Sequence, residues 1–147
     1  MIGLLRVTPQ TDIAAIVGRS LTESHVPGVV AAYLFGSVGE ERAHRESDVD
    51  IGVLLDWRVH PTARQRFDVR VRLAAVLAGR LRRDADVVIL NDAPPQLGRA
   101  IVTKGRRIYC TDEERTHAFV RDVQLRAADV APFLQRTRAR KLAALAR

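Results

Sequence analysis

The 147-residue chain is poor in the residues that mark a stapled, metal-clustered or membrane-spanning protein. Its one cysteine, Cys110, cannot close an internal disulfide, and a lone thiol is no metal site. It sits in the apolar run Ile108-Tyr109-Cys110, which is expected to bury it as an inert thiol. The longest wholly apolar run, Val29 to Phe35, falls far short of the roughly 20 residues that a membrane-spanning helix needs. Met1 to Val7 is too short for the apolar stretch of a secretion signal. No membrane association is expected, and the expected setting is the reducing cytoplasm. Lysine is scarce as well, with 22 Arg against 2 Lys and a net charge of +7. A positive surface favours anionic partners such as nucleotides, nucleic acid or an acidic protein. Internal repeats and low-complexity linkers are missing too. The length therefore suggests a single domain over 1–147, with a core at about 11–110 and a C-terminal helix at about 112–146.

What is present reads as alternating helices and strands. Thr11 to Ser24 has Ile13, Ile16, Val17 and Leu21 at helical spacing, and Pro27-Gly28 stops it. Val29 to Phe35 is a buried strand, and Val49 to Leu55 is a second one after a polar stretch from Gly36 to Ser47. Pro61 fits the first turn of the next helix, whose apolar stripe is expected to be Phe67, Val71, Ala74, Ala75, Ala78 and Leu81. The arginines between Arg64 and Arg83 fill the other faces. With no aromatics among them they read as a solvated surface, and direct nucleic-acid binding is not expected. Asp86 to Leu90 is a third strand, Gln96 to Val102 a short helix, and Arg107 to Cys110 a small strand. Thr111 or Asp112 can cap the final helix. The order α-β-β-α-β-α-β-α implies an α+β fold, a small mixed β-sheet with flanking helices.

The informative segment is Gly36-Ser37 followed, ten residues on, by Asp48-Val49-Asp50. Residues two apart on a strand share a face, so Asp48 and Asp50 project together at the start of an otherwise apolar strand. Paired carboxylates repel unless a cation lies between them, and hard oxygen ligands suit Mg2+. If the third strand lies beside the second, Asp86 joins them at one edge. Two Mg2+ ions bridged by carboxylates would stabilise the attacking and leaving oxygens of an in-line displacement at phosphorus. The third carboxylate is then placed to take the proton of the attacking hydroxyl. A glycine at the end of a strand lets backbone approach a ligand closely, so the Gly36-Ser37 turn is a candidate cradle for a triphosphate.

Leu34-Phe35-Gly36-Ser37 followed by Ser47-Asp48-Val49-Asp50-Ile51 resembles the polymerase beta-type nucleotidyltransferases. Small size and the stretch Asp86 to Pro95 resemble in particular the minimal nucleotidyltransferases, the MNT group; the likeness runs from about Thr11 to Leu134. The resemblance implies the polymerase beta-type nucleotidyltransferase fold. It also implies Asp48, Asp50 and Asp86 as catalytic metal ligands, and Gly36, Ser37 and Ser47 as nucleotide-binding residues. ATP is the implied substrate, with Mg2+ as two ions. Many members are antitoxins paired with a HEPN-domain toxin, and the implied activity is transfer of AMP from ATP to a tyrosine of that toxin. A hetero-oligomer with the toxin is then expected, with a homodimer as a further option. The loop Val38-Gly39-Glu40-Glu41-Arg42 departs from the Arg and Gly usual there.

Two rival functions remain: a transferase acting on a small hydroxyl compound such as an aminoglycoside, which would turn over without a protein partner, and a non-catalytic antitoxin that blocks its toxin sterically, which would survive loss of Asp48 and Asp50. His25, His44, His60 and His117 include no pair at zinc-ligand spacing. Phe119, Val123, Val130, Phe133 and Leu134 of the last helix can pack on the domain itself or on a second protein.

Overall fold

The computed structural model describes residues 9–36 and 48–146. Helix α1 (Pro9–Glu23) leads to strands β1 (Val29–Phe35) and β2 (Val49–Leu55), whose bounds are those read from the sequence. Helix α2 (Ala63–Leu81), strand β3 (Ala85–Ile89) and a short 3-10 turn (Leu90–Asp92) follow. Helix α3 (Pro95–Lys104), strand β4 (Arg106–Cys110) and the long helix α4 (Glu113–Leu145) complete the order. The sheet runs β3-β2-β1-β4, with β1 antiparallel to β2 and to β4, and β3 parallel to β2. Among the described residues no helix is long and apolar enough to cross a membrane.

Strand alternation sends side chains to two cores. Val49, Ile51, Val53, Val87 and Ile89 face α1 and α2, where Ile13, Val17, Leu21, Leu73 and Leu77 meet them. Tyr33 and Leu54 face α3 and α4 and pack with Ile101, Phe119 and Val123. Burial on both faces explains why β1 and β2 read as continuous apolar runs.

Three expectations are corrected here. Pro61 lies outside α2, whose N-cap is Thr62; its hydroxyl accepts from Gln65 N–H at 3.2 Å. The buried stripe of α2 is Arg66, Val69, Leu73 and Leu77, whereas Phe67 and Val71 are each 53% exposed. The helix carries apolar residues on two faces, and the one holding Arg66 turns inward. The Arg66 guanidinium donates to both oxygens of Asp92 (2.9 and 2.8 Å) and to His60 O (3.0 Å), and stacks 4.7 Å over Trp57. Cys110 is half-buried, because β4 is an edge strand; its Sγ lies 3.4 Å from Thr116 Oγ1.

Candidate active site

The two carboxylates read first from the sequence stand at the start of β2. Asp48 is exposed, just before the strand, and Asp50 is half-buried, on a strand whose other six residues are buried. Asp50 lies opposite Phe35 of β1 on one side and in register with Asp86 of β3 on the other. Partners in a parallel pair point to the same face, about 4.8 Å apart. Asp50 and Asp86 therefore share the face of the sheet that carries α3 and α4. The strand starts are zipped by Val49 N–H donating to Asp84 O at 2.9 Å.

Burial pushes the Asp50 carboxyl above the usual carboxylate range, and the negative charges of Asp86 and then Asp48 add to the shift. Asp86 is exposed and lies 3.9 Å from Arg70 of α2, which reaches around the sheet edge to it. Among the described residues, no three His, Cys, Asp or Glu side chains are gathered closely enough to hold a metal ion. The donor set is nevertheless that of a hard dication: three carboxylates from neighbouring strand starts, mutually repelling, with one oxygen pair half-buried.

Gly36 follows directly on β1 at φ 70°, and a Cβ there would overlap Asp50 Oδ2. Any side chain at 36 would thus meet both a strained backbone and the Asp50 carboxylate. Ser37 and Ser47, with the Glu40-Glu41 loop between them, lie outside the described residues.

Residues 20–114 match the family described as Polymerase beta, Nucleotidyltransferase. The chain belongs to this family. Over 94 residues, 64% of its length, this nucleotidyltransferase chain is 34% identical to protein adenylyltransferase MntA of Shewanella oneidensis. It spans about 63% of that relative's length. A crystal structure of a toxin–antitoxin with AMP-PNP includes a chain that superimposes with a TM-score of 0.65 at 27% identity. That match covers 84% of this chain and 97% of the other. A structure of tri-AMPylated Shewanella oneidensis HEPN toxin in complex with MNT antitoxin gives 0.61 at 25% identity, covering 87% and 98%. The mixed four-stranded sheet between helices is the nucleotidyltransferase fold expected from the motif.

Two residues near the acidic corner escaped the sequence reading. Arg70 reads from the sequence as part of a solvated face, and nothing in its spacing points to a carboxylate sixteen residues on. Lys104, at the C-terminal end of α3, lines a cleft of about 240 Å³ with Phe35, Gly36, Leu97 and Ala100. It is one of only two lysines in an arginine-rich chain, a signal visible in composition alone.

Proposed function

We propose that this nucleotidyltransferase is a Mg2+-dependent antitoxin enzyme that moves AMP from ATP to a tyrosine hydroxyl of a HEPN-domain toxin. The observation that carries the reading is the Asp50–Asp86 register with Gly36 packed against Asp50. The relatives support the choice of nucleotide and acceptor: one is a protein adenylyltransferase, and one neighbour contains a tri-AMPylated HEPN toxin. The working assembly is a complex with the toxin, in the cytoplasm, with the chain acting as one domain.

Asp48, Asp50 and Asp86 would hold Mg2+, which supplies Lewis-acid stabilisation of charge on the phosphate oxygens. The tyrosine oxygen attacks the α-phosphorus of ATP and forms the new P–O bond. The bond from that phosphorus to its bridging oxygen breaks, and pyrophosphate leaves. A carboxylate oxygen of Asp86 receives the hydroxyl proton. Gly36, without a side chain, lets the turn approach Asp50 and the phosphates closely, with Ser37 and Ser47 contributing their hydroxyls to the nucleotide. Lys104, beside Gly36, offers a cation to the same anion.

The test is a calorimetric titration of ATP with and without Mg2+, run beside the Asp48→Ala/Asp50→Ala double variant. Metal-dependent binding lost in the variant, followed by AMP addition to the toxin by mass spectrometry, is the expected result. Toxin neutralised equally well by the double variant would replace catalysis with steric blocking.

A further inference from the structure

Helix α4 falls into two halves with different surroundings. In the first, Thr116, Phe119, Val123 and Ala127 recur at three- and four-residue spacing and are buried against the fold. Gln96 Nε2 of α3 donates to Ala127 O at 3.0 Å and ties this half down. Beyond Ala127 no described residue of the helix is buried. The same stripe nevertheless continues at the same spacing through Val130, Leu134, Thr137, Lys141 and Leu145. Leu134 is 38% and Leu145 84% exposed, with Phe133 (61%) and Leu142 (67%) beside them. From Ala127 to Leu145 this uncovered helix extends about 27 Å at 1.5 Å per residue. A helix of that length gains little by itself in water, and most helical stability comes from packing an amphipathic face.

Charge decides what could cover it. Between 130 and 146 the chain has Arg136, Arg138, Arg140 and Lys141 and no carboxylate; the last acid is Asp129. Two such arms laid side by side would repel one another. A nucleic acid would meet the cations but leave the leucines in water. A bilayer surface wants a broad apolar face free of charge, and here Lys141 stands on the stripe itself. An acidic helix answers these features: apolar residues for Leu134 and Leu145, carboxylates for Arg138 and Arg140 at the edges of the stripe, and one facing Lys141. We propose that the free half of α4 is a docking arm for a partner-protein helix, apolar along one stripe and acidic along its flanks. The arm lies outside the acidic corner at β2 and β3, so docking is separable from AMP transfer.

The probe is a labelled designed helix with a leucine stripe and glutamate flanks, compared with a lysine-flanked copy and a serine-striped copy. At about 0.1 M salt the full chain is expected to bind the glutamate peptide about tenfold more tightly than either control, and more weakly as salt rises. Leu134→Asp with Leu145→Asp abolishes the preference, and Lys141→Glu shifts it toward the lysine-flanked peptide, with Mg2+-ATP binding and melting temperature unchanged. Several outcomes overturn the proposal: no binding, or equal binding of the glutamate and lysine peptides. Tighter binding to phosphatidylglycerol vesicles or single-stranded oligoadenylate would do so too, as would a chain dimer that Leu134→Asp disperses in sedimentation.

Discussion

Gly36→Ala separates the chemistry of the acidic corner from the stability of the fold. The new methyl meets two obstacles at once. At φ 70° an L-residue is in the left-handed region, which costs about 1–2 kcal/mol. The methyl also falls inside contact distance of Asp50 Oδ2, so either the turn or the carboxylate must move. For a chain of this length 1 kcal/mol is worth about 2–4 °C of melting temperature, so the first cost lowers it by about 2–8 °C. A displacement of about 1 Å at a reacting centre is worth on the order of 10²-fold in rate. The expected result is a folded variant, slightly less stable, with Mg2+-ATP binding weakened and AMP transfer about 100-fold slower. Gly79→Ala is the control, because a Cβ there meets nothing within 4 Å in the interior of α2. It should gain roughly 0.5–1 kcal/mol from helix propensity and leave transfer unchanged. Calorimetric ATP titration, initial rates and thermal melts on the two variants decide the matter. Transfer within about threefold of wild type in Gly36→Ala, with the melt lowered as expected, would refute the idea that Asp50 works from its place against the turn.

Asn91 is buried and stands in for a strand beside β2: its Oδ1 accepts from Leu55 N–H (2.9 Å), and its Nδ2 donates to Leu55 O (2.8 Å). Asn91→Ala strands both backbone groups, at about 1–3 kcal/mol each, and urea denaturation should show a loss of about 2–6 kcal/mol. Asp92→Ala leaves the Arg66 guanidinium buried without its carboxylate. Because Asp92 is 40% exposed, the cost should be about 2–4 kcal/mol, below that of a wholly buried pair. Arg66→Met added to Asp92→Ala should recover part of it, and strict additivity of the two losses would show that the pair is not coupled. Guanidinium groups hold Glu113 (through Arg107), Asp56 (through Arg58) and Glu23 (through Arg80) below the usual carboxylate range. A lowered folded-state pKa gives stability that is present above the unfolded value and lost as pH falls through the folded one. The melting temperature should therefore drop as pH falls from about 5 to 3, and Glu113→Gln should shrink that drop; an unaltered profile would remove the Arg107 pair from the account.

How far the sequence can be read depends on whether a feature is local. Strands β1 and β2 were legible because seven-residue apolar runs with turn signals around them have few other ways to fold. Asp50 was legible for the opposite reason: a carboxylate inside such a run is a local anomaly that needs a cation. The inward face of α2 was not, since Phe67-Val71 and Val69-Leu73-Leu77 are both apolar series at helical spacing. The choice between them goes with Arg66 meeting Asp92, twenty-six residues away, at the end of a strand whose position the helix cannot know. Arg70 beside Asp86 is the same case, a contact made around the edge of a sheet whose strand order only the fold supplies. In α4 the helical spacing runs on from Thr116 to Leu145, with Thr137 and Lys141 among its apolar positions, so periodicity reports one helix and is silent on where its packing stops. What divides it is the reach of α3, whose Gln96 meets Ala127. A repeat that outruns the surface it was packing on is a statement about something outside the chain. The further eighteen residues keep the stripe with no described residue buried, and beyond Asp129 their charge is wholly positive. A core-facing pattern with no core beneath it, together with one sign of charge, specifies the complement it lacks: an apolar stripe edged with carboxylates.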